Sequence, residues 1–145
     1  MAEQPGPLVH RWPIRVYYED TDAGGIVYHA AYLRYAERAR TEMLRAIGFD
    51  HVSLARDAGV LFAVRRVEID YLRSARLDDQ LVVRTRIAAV RGASLDLDQE
   101  IQGGDGPLAR LLVRLALLDR RHRPVRLPAM LRSAFRELPE AASGQ

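Results

Sequence analysis

The chain has 145 residues, 48% of them hydrophobic and 28% charged, the balance of a soluble globular protein long enough for one buried core. It has no cysteine, which excludes disulfides, thiolate metal sites and a cysteine nucleophile. All 22 basic residues are arginine but the net charge is only +3. The arginines are scattered among Asp and Glu and carry no nucleic-acid motif, so no nucleic-acid partner is expected.

Residues Met1 to Trp12 read as a short tail ending at Pro13, with no apolar stretch long enough for a secretory signal. No later segment approaches the roughly 18 apolar residues of a membrane span, and a cytoplasmic protein is expected. Ile14 to Glu19 reads as a strand, rich in β-branched and aromatic residues. A turn-forming run follows, Asp20-Thr21-Asp22-Ala23-Gly24-Gly25. From His29 to Ile47, Tyr32, Tyr35, Ala36, Ala39, Met43, Ala46 and Ile47 recur at helical spacing, with Gly48 as the stop. His51 to Ala58 is a short helical or looped stretch. Val60 to Leu72, Gln80 to Arg91 and Ala93 to Gln102 read as strands. Leu95, Leu97, Gln99 and Ile101 alternate with Asp96, Asp98 and Glu100, the period of a half-buried strand. Arg91-Gly92-Ala93 and Gly103-Gly104-Asp105-Gly106 read as tight turns. Pro107 to Arg120 has the composition of a helix, but its position after a hairpin and a Gly-rich turn makes it a strand. Ala129 to Glu137 is a short closing helix. One long early helix followed by antiparallel strands is an α+β plan, expected as a single domain over 1–145 with its core about 14–137.

The chemistry concentrates between Glu19 and Thr41. Asp20, Asp22, Gly24 and Gly25 are by themselves turn residues. Asp20, Asp22 and Gly25 match three positions of a calcium loop, but position twelve is Ala31 rather than a bidentate Glu, so no calcium site is expected. No His pair has zinc spacing and no Gly-x-Ser-x-Gly elbow occurs. Neither a metal nor another cofactor is implied.

The run Tyr17-Tyr18-Glu19-Asp20-Thr21-Asp22-Ala23-Gly24-Gly25-Ile26-Val27-Tyr28-His29, then Tyr32 and Glu37-Arg38-Ala39-Arg40-Thr41-Glu42, resembles the 4-hydroxybenzoyl-CoA thioesterase family. Within it the sequence is most similar to acyl-CoA thioesterases encoded with the Tol-Pal cell-envelope system. Arg73-Ser74-Ala75-Arg76-Leu77-Asp78-Asp79 and Arg91-Gly92-Ala93-Ser94-Leu95 extend the likeness over most of residues 14 to 135. One departure is Ala36, where relatives commonly carry an aromatic residue, which bears on acyl-chain preference.

The resemblance implies a hot-dog fold, an antiparallel sheet wrapped around a long helix, in homodimers or homotetramers with sites at subunit interfaces. It implies an acyl-CoA substrate, or one carried on acyl carrier protein, and makes Asp22 rather than Asp20 the essential carboxylate. The amide of His29, at a helix start, would receive the oxyanion. Gly25 and Tyr28 would meet substrate. Arg91 and Ser94 match the CoA-binding edge of relatives, and Arg65 or Arg66 would reach a phosphate. The leaving thiolate, with a thiol pKa near 8.5 in water, needs no strong general acid, so one carboxylate suffices. Whether Asp22 acts as general base or nucleophile stays open at this level, as does a side-chain role for His29. Glu37 reads as an ion-pair partner of Arg34, Arg38 or Arg40, with a second acid in the site as the alternative. His51 and His122 read as surface residues. The rival functions are a hydroxyacyl-thioester dehydratase using His29 and Glu37, and a non-catalytic acyl-CoA sensor or scaffold.

Overall fold

A computed structural model describes residues 9–137. Five strands form one antiparallel sheet in the order β1-β3-β4-β5-β2, from β1 (Val9–Arg15), β2 (Leu61–Tyr71), β3 (Gln80–Val90), β4 (Ser94–Gly103) and β5 (Gly106–Leu118). The helix α1 (Ala31–Ala46) lies across its inner face, while α2 (His51–Ser53), running into a π-helical turn (Leu54–Ala58), and α3 (Ala129–Arg136) close one end. This is the α+β, helix-on-sheet arrangement expected.

The inner face follows from alternation. Leu95, Leu97, Gln99 and Ile101 of β4 are all buried, whereas Asp96, Asp98 and Glu100 face outward. There they meet arginines of β3, of β5 and of the turn after β3: Glu100 pairs with Arg110, Asp98 with Arg86, and Asp96 with both Arg91 and Arg114. Pairing with Arg114 and then Arg91 lowers the Asp96 carboxyl to about 2. The same pairing decides β5. Leu108, Leu111, Val113, Leu115 and Leu117 are buried, and every residue from Ala109 to Leu118 pairs with β2, those from Ala109 to Ala116 with β4 as well. A helix-forming composition is thus overridden by sheet burial and hydrogen bonding.

The helix presents Ala31, Tyr32, Tyr35, Ala36, Ala39 and Met43 to the sheet, and the alanines allow close approach. It ends where Gly48, at φ +94°, turns the chain. The amide of Phe49 returns to Leu44 O at 3.0 Å and that of Gly48 to Arg45 O at 3.0 Å, a glycine-terminated stop. A polar group crosses the core below. Gln99 is buried, donates to Ala36 O and Thr85 Oγ1, and accepts from Arg40 Nη1 at 3.0 Å.

Three boundaries differ from expectation. The first strand runs from Val9 to Arg15, so residues 9–12 are strand rather than tail and Tyr18–Asp20 form a 3₁₀ turn. Pro13 is tolerated because β1 is an edge strand, where a missing N–H can face away from the ladder. The core accordingly begins at buried His10 rather than Ile14. The long helix starts at Ala31, two residues after His29, and its 16 residues span about 24 Å. Residues 1–8 and 138–145 of the expected tails lie outside the described residues.

Candidate active site

The two carboxylates of the Asp-Thr-Asp motif have different surroundings. Asp20 is buried (3% exposed), accepts the Tyr17 N–H at 2.9 Å through Oδ2, and has Arg34 at 3.9 Å. Its carbonyl receives the Tyr28 N–H at 2.8 Å. Burial, together with the Asp20 carboxylate, raises the pKa of the Tyr35 hydroxyl beneath it. Asp20 therefore holds the loop to the core.

Asp22 is exposed. Its Oδ1 accepts the Gly24 N–H at 2.8 Å, while Oδ2 has no hydrogen-bond partner among the described residues. The Asp22 N–H donates to Ile26 O at 2.9 Å, and the Gly25 N–H donates to Asp22 O at 3.1 Å. Gly25 sits at φ +81°, a conformation that costs an L side chain about 1–2 kcal/mol. Bridges Thr21↔Val27 and Ile26↔Arg76 close the turn, and the Val27 N–H donates to Ala75 O at 2.9 Å. The result is a carboxylate fixed by one oxygen with the other free.

Directly after this turn, Tyr28, His29 and Ala30 lead into α1. The amides of His29 and Ala30 have no acceptor among the described residues, and they lie at the positive end of the helix. The His29 carbonyl is held by the Tyr71 hydroxyl at 2.9 Å. Tyr71 also packs edge-on against His29 at 6.3 Å and Tyr32 at 5.6 Å, and burial raises the pKa of its hydroxyl. Tyr32 in turn accepts the Ala75 N–H at 3.0 Å. Tyr71 was not singled out from sequence. Its inward orientation depends on a bulge at Arg65, where the β2 register with β5 shifts between Val64 and Arg66, reversing which residues face the helix. The only sequence signal was an aromatic residue at the end of a strand.

The remaining expected residues lie elsewhere. Arg65 is exposed at the bulge, and Arg66 pairs with Glu68. Arg91, half exposed, pairs with Asp96 at 2.6 Å, and the Ser94 carbonyl at the start of β4 accepts the Arg91 N–H at 2.8 Å. Ser94 aligns through Ala116 with Ala63, whereas Ile101 aligns through Ala109 with Tyr71. Those rows are seven residues apart in β4, about 23 Å at 3.3 Å per residue. Within one chain, Arg65, Arg91 and Ser94 are therefore at the opposite end of the sheet from the His29 turn.

Glu37 departs from expectation. It makes no ion pair with Arg34, Arg38 or Arg40 among the described residues, because Arg34 leans toward Asp20 and Arg40 is drawn inward to Gln99. It lines a cavity of about 370 Å³ with Arg40, Met43, Leu61, Phe62 and Phe135. A larger cavity, about 460 Å³, lies on the outer face among Arg84, Arg86, Asp98 and Glu100 and touches no motif residue. His51 and His122 are exposed, as expected; His51 Nε2 lies 3.1 Å from Thr41 Oγ1. No cluster of metal-binding side chains occurs among the described residues.

Residues 16–135 match the model of the thioesterase-like superfamily. The chain belongs to that family. It is a thioester hydrolase with the hot-dog fold. An acyl-CoA thioesterase YbgC from Haemophilus influenzae is 42% identical over 128 residues, covering 88% of this chain and 94% of the relative. An acyl-CoA thioester hydrolase YbgC from Escherichia coli is 44% identical over 130 residues, covering 88% and 96%. The crystal structure of a probable thioesterase from Bartonella henselae superposes with a TM-score of 0.79 at 40% identity, covering 83% of this chain and 99% of that one. No helix among the described residues of this thioesterase is long and apolar enough to cross a membrane.

Proposed function

We propose that this thioesterase hydrolyses acyl-CoA to a free carboxylic acid and CoA, with Asp22 as general base. The observation that carries the reading is the asymmetric anchoring of Asp22, one oxygen bonded to the Gly24 N–H and the other open, on the turn that feeds the His29 amide. Asp22 takes a proton from water as the water oxygen bonds to the thioester carbon. The carbonyl electrons move onto oxygen, stabilised by the His29 N–H; one such donor is worth about 2.7–4 kcal/mol. Collapse of this intermediate breaks the C–S bond, and the thiolate of CoA leaves and is protonated. His29 contributes its backbone, and Gly25 and Tyr28 border the reacting group.

CoA phosphates are bound by Arg65, Arg91 and Ser94 of a second subunit in a homodimer or homotetramer. This is supported by their distance from the motif within one chain and by the open edge of β2. The protein works as a single hot-dog domain in the cytoplasm, alongside the Tol-Pal system; acyl carrier protein is an alternative acyl donor.

The test is thiol release from short, long and aromatic acyl-CoAs by wild type and Asp22→Asn. Asn keeps the acceptor for Gly24 but removes the base, so the rate falls about 100-fold or more in a folded variant. Equal rates remove Asp22 from the mechanism. Binding of acyl-CoA without turnover by wild type transfers the case to an acyl-CoA sensor.

A further inference from the structure

The turn between β3 and β4 carries more positive charge than Arg91 alone gives it. Arg132 Nη2 donates to Gly92 O at 3.0 Å. A Cβ at Gly92 would meet Arg126 Nη1 at 3.5 Å. Two guanidinium groups from the chain after β5 thus lie against one residue, between Arg91 and Ser94.

Arg126 is held there by its backbone. The Val125 N–H donates to Leu117 O and the Leu127 N–H to Gly92 O, both at 2.9 Å. Leu127 is buried and Arg126 exposed, so the anchored segment presents the arginine at the surface beside the turn.

Charge balance separates these two arginines from their neighbours. On the outer sheet face Arg84, Arg86, Arg110 and Arg114 each face a carboxylate of β4. Arg91 shares Asp96 with Arg114, two positive charges on one negative. Arg126 and Arg132 pair with no carboxylate among the described residues. Arg132 uses one donor of its fork on Gly92 O and keeps the rest for a ligand. Like charges gathered at one turn repel one another, and a doubly charged anion relieves that repulsion.

We infer that Arg126 and Arg132 bind the 3′-phosphate of CoA and so select CoA thioesters over thioesters of acyl carrier protein. The inference rests on the acyl-CoA reading above, in which Arg91 and Ser94 of the same turn meet the CoA phosphates. A phosphate monoester carries about −1.5 to −2 charge at pH 7 and three acceptor oxygens, which suits two planar forks. The diphosphate of CoA carries less charge on each phosphorus and suits the single surplus charge at Arg91. The arm of acyl carrier protein is joined through a phosphodiester and has no monoester, so it leaves both arginines unmatched.

The experiment takes the acyl group that wild type hydrolyses fastest and compares it on CoA, on dephospho-CoA, which lacks the 3′-phosphate, and on acyl carrier protein. For wild type, KM is expected to be at least about tenfold lower with acyl-CoA than with acyl-dephospho-CoA, the scale of one charge-assisted hydrogen bond. The value of kcat stays unchanged, because the phosphate is remote from the reacting carbonyl. Arg126→Gln raises KM for acyl-CoA and leaves it unchanged for acyl-dephospho-CoA, so the preference shrinks. Arg123→Gln, at an arginine already paired with Asp119 at 3.6 Å, keeps the preference. Melting curves check that both variants are folded. Titration calorimetry with CoA and dephospho-CoA reads the same preference without turnover, so a failure of Asp22 in catalysis is told apart from a failure of phosphate recognition. A wild-type preference below about twofold by either measure overturns the inference. So does a preference that survives in folded Arg126→Gln, or a lower KM for the thioester of acyl carrier protein than for acyl-CoA.

Discussion

Tyr71→Phe removes one oxygen atom and tests whether the geometry of the His29 turn matters for catalysis. The ring stays, and with it the packing on His29 and Tyr32. What disappears is the donor to His29 O, now at 2.9 Å. Tyr71 is 46% exposed, so water can replace the hydroxyl and the stability cost stays near 0.5–1 kcal/mol. That corresponds to a drop in Tm of about 2–4 °C. The catalytic cost has a different ceiling. Complete loss of an oxyanion donor costs about 2.7–4 kcal/mol, and a loosened turn forfeits part of that. A loss of about 1–1.7 kcal/mol is expected, which is a fall in kcat of about 5–20-fold at 1.36 kcal/mol per decade. KM stays within about twofold, since the ground-state contacts are untouched. Steady-state thiol release with a well-hydrolysed acyl-CoA, beside a melting curve, measures both quantities. A kcat within twofold of wild type, with Tm lowered as stated, would refute the reasoning: the hydroxyl would then only brace the fold.

Gly25→Ala places a side chain at φ +81°, where nothing lies within 4 Å of the new Cβ. The cost is therefore backbone strain alone, about 1–2 kcal/mol, read by denaturant unfolding, with a fall in kcat as the Asp22 turn opens. Gln99→Leu leaves the buried Thr85 hydroxyl and the Arg40 guanidinium without their shared partner; a loss of about 2–4 kcal/mol is expected. Stability also depends on pH through His10, whose pKa is lowered from 6.5 by burial, against an opposing attraction from Glu42. Below about pH 6.5 the unfolded chain takes up a proton that the folded one refuses. Stability is therefore lost as pH falls from 6.5 toward the folded pKa, and His10→Gln flattens Tm against pH there. Asp96 acts in a separate window: its contribution is present above 3.8 and is lost as pH falls toward 2.

The alternation in β4, the alanine-faced helix and the Gly48 stop were legible because each is a local rule acting on neighbouring residues. Strand β5 was legible only through its place after a hairpin, because its own residues favour a helix and neighbouring strands decide otherwise. The edge position that admits Pro13 into β1 belongs to the sheet and has no mark in the sequence around it. Asp20 and Asp22, two residues apart and chemically identical, acquire different surroundings only when one faces the core and the other faces solvent. Tyr71 reaches His29 from 42 residues away along the chain, and a single bulged residue, Arg65, determines that it faces inward at all. Sequence alone specified the fold class and the turn that carries Asp20 and Asp22 ahead of the long helix, because periodicity and turn residues act at short range. Tertiary structure alone decided which carboxylate is free, which hydroxyl braces the amide, and which arginines stand apart from the site, because burial and cross-strand register are set by the whole chain.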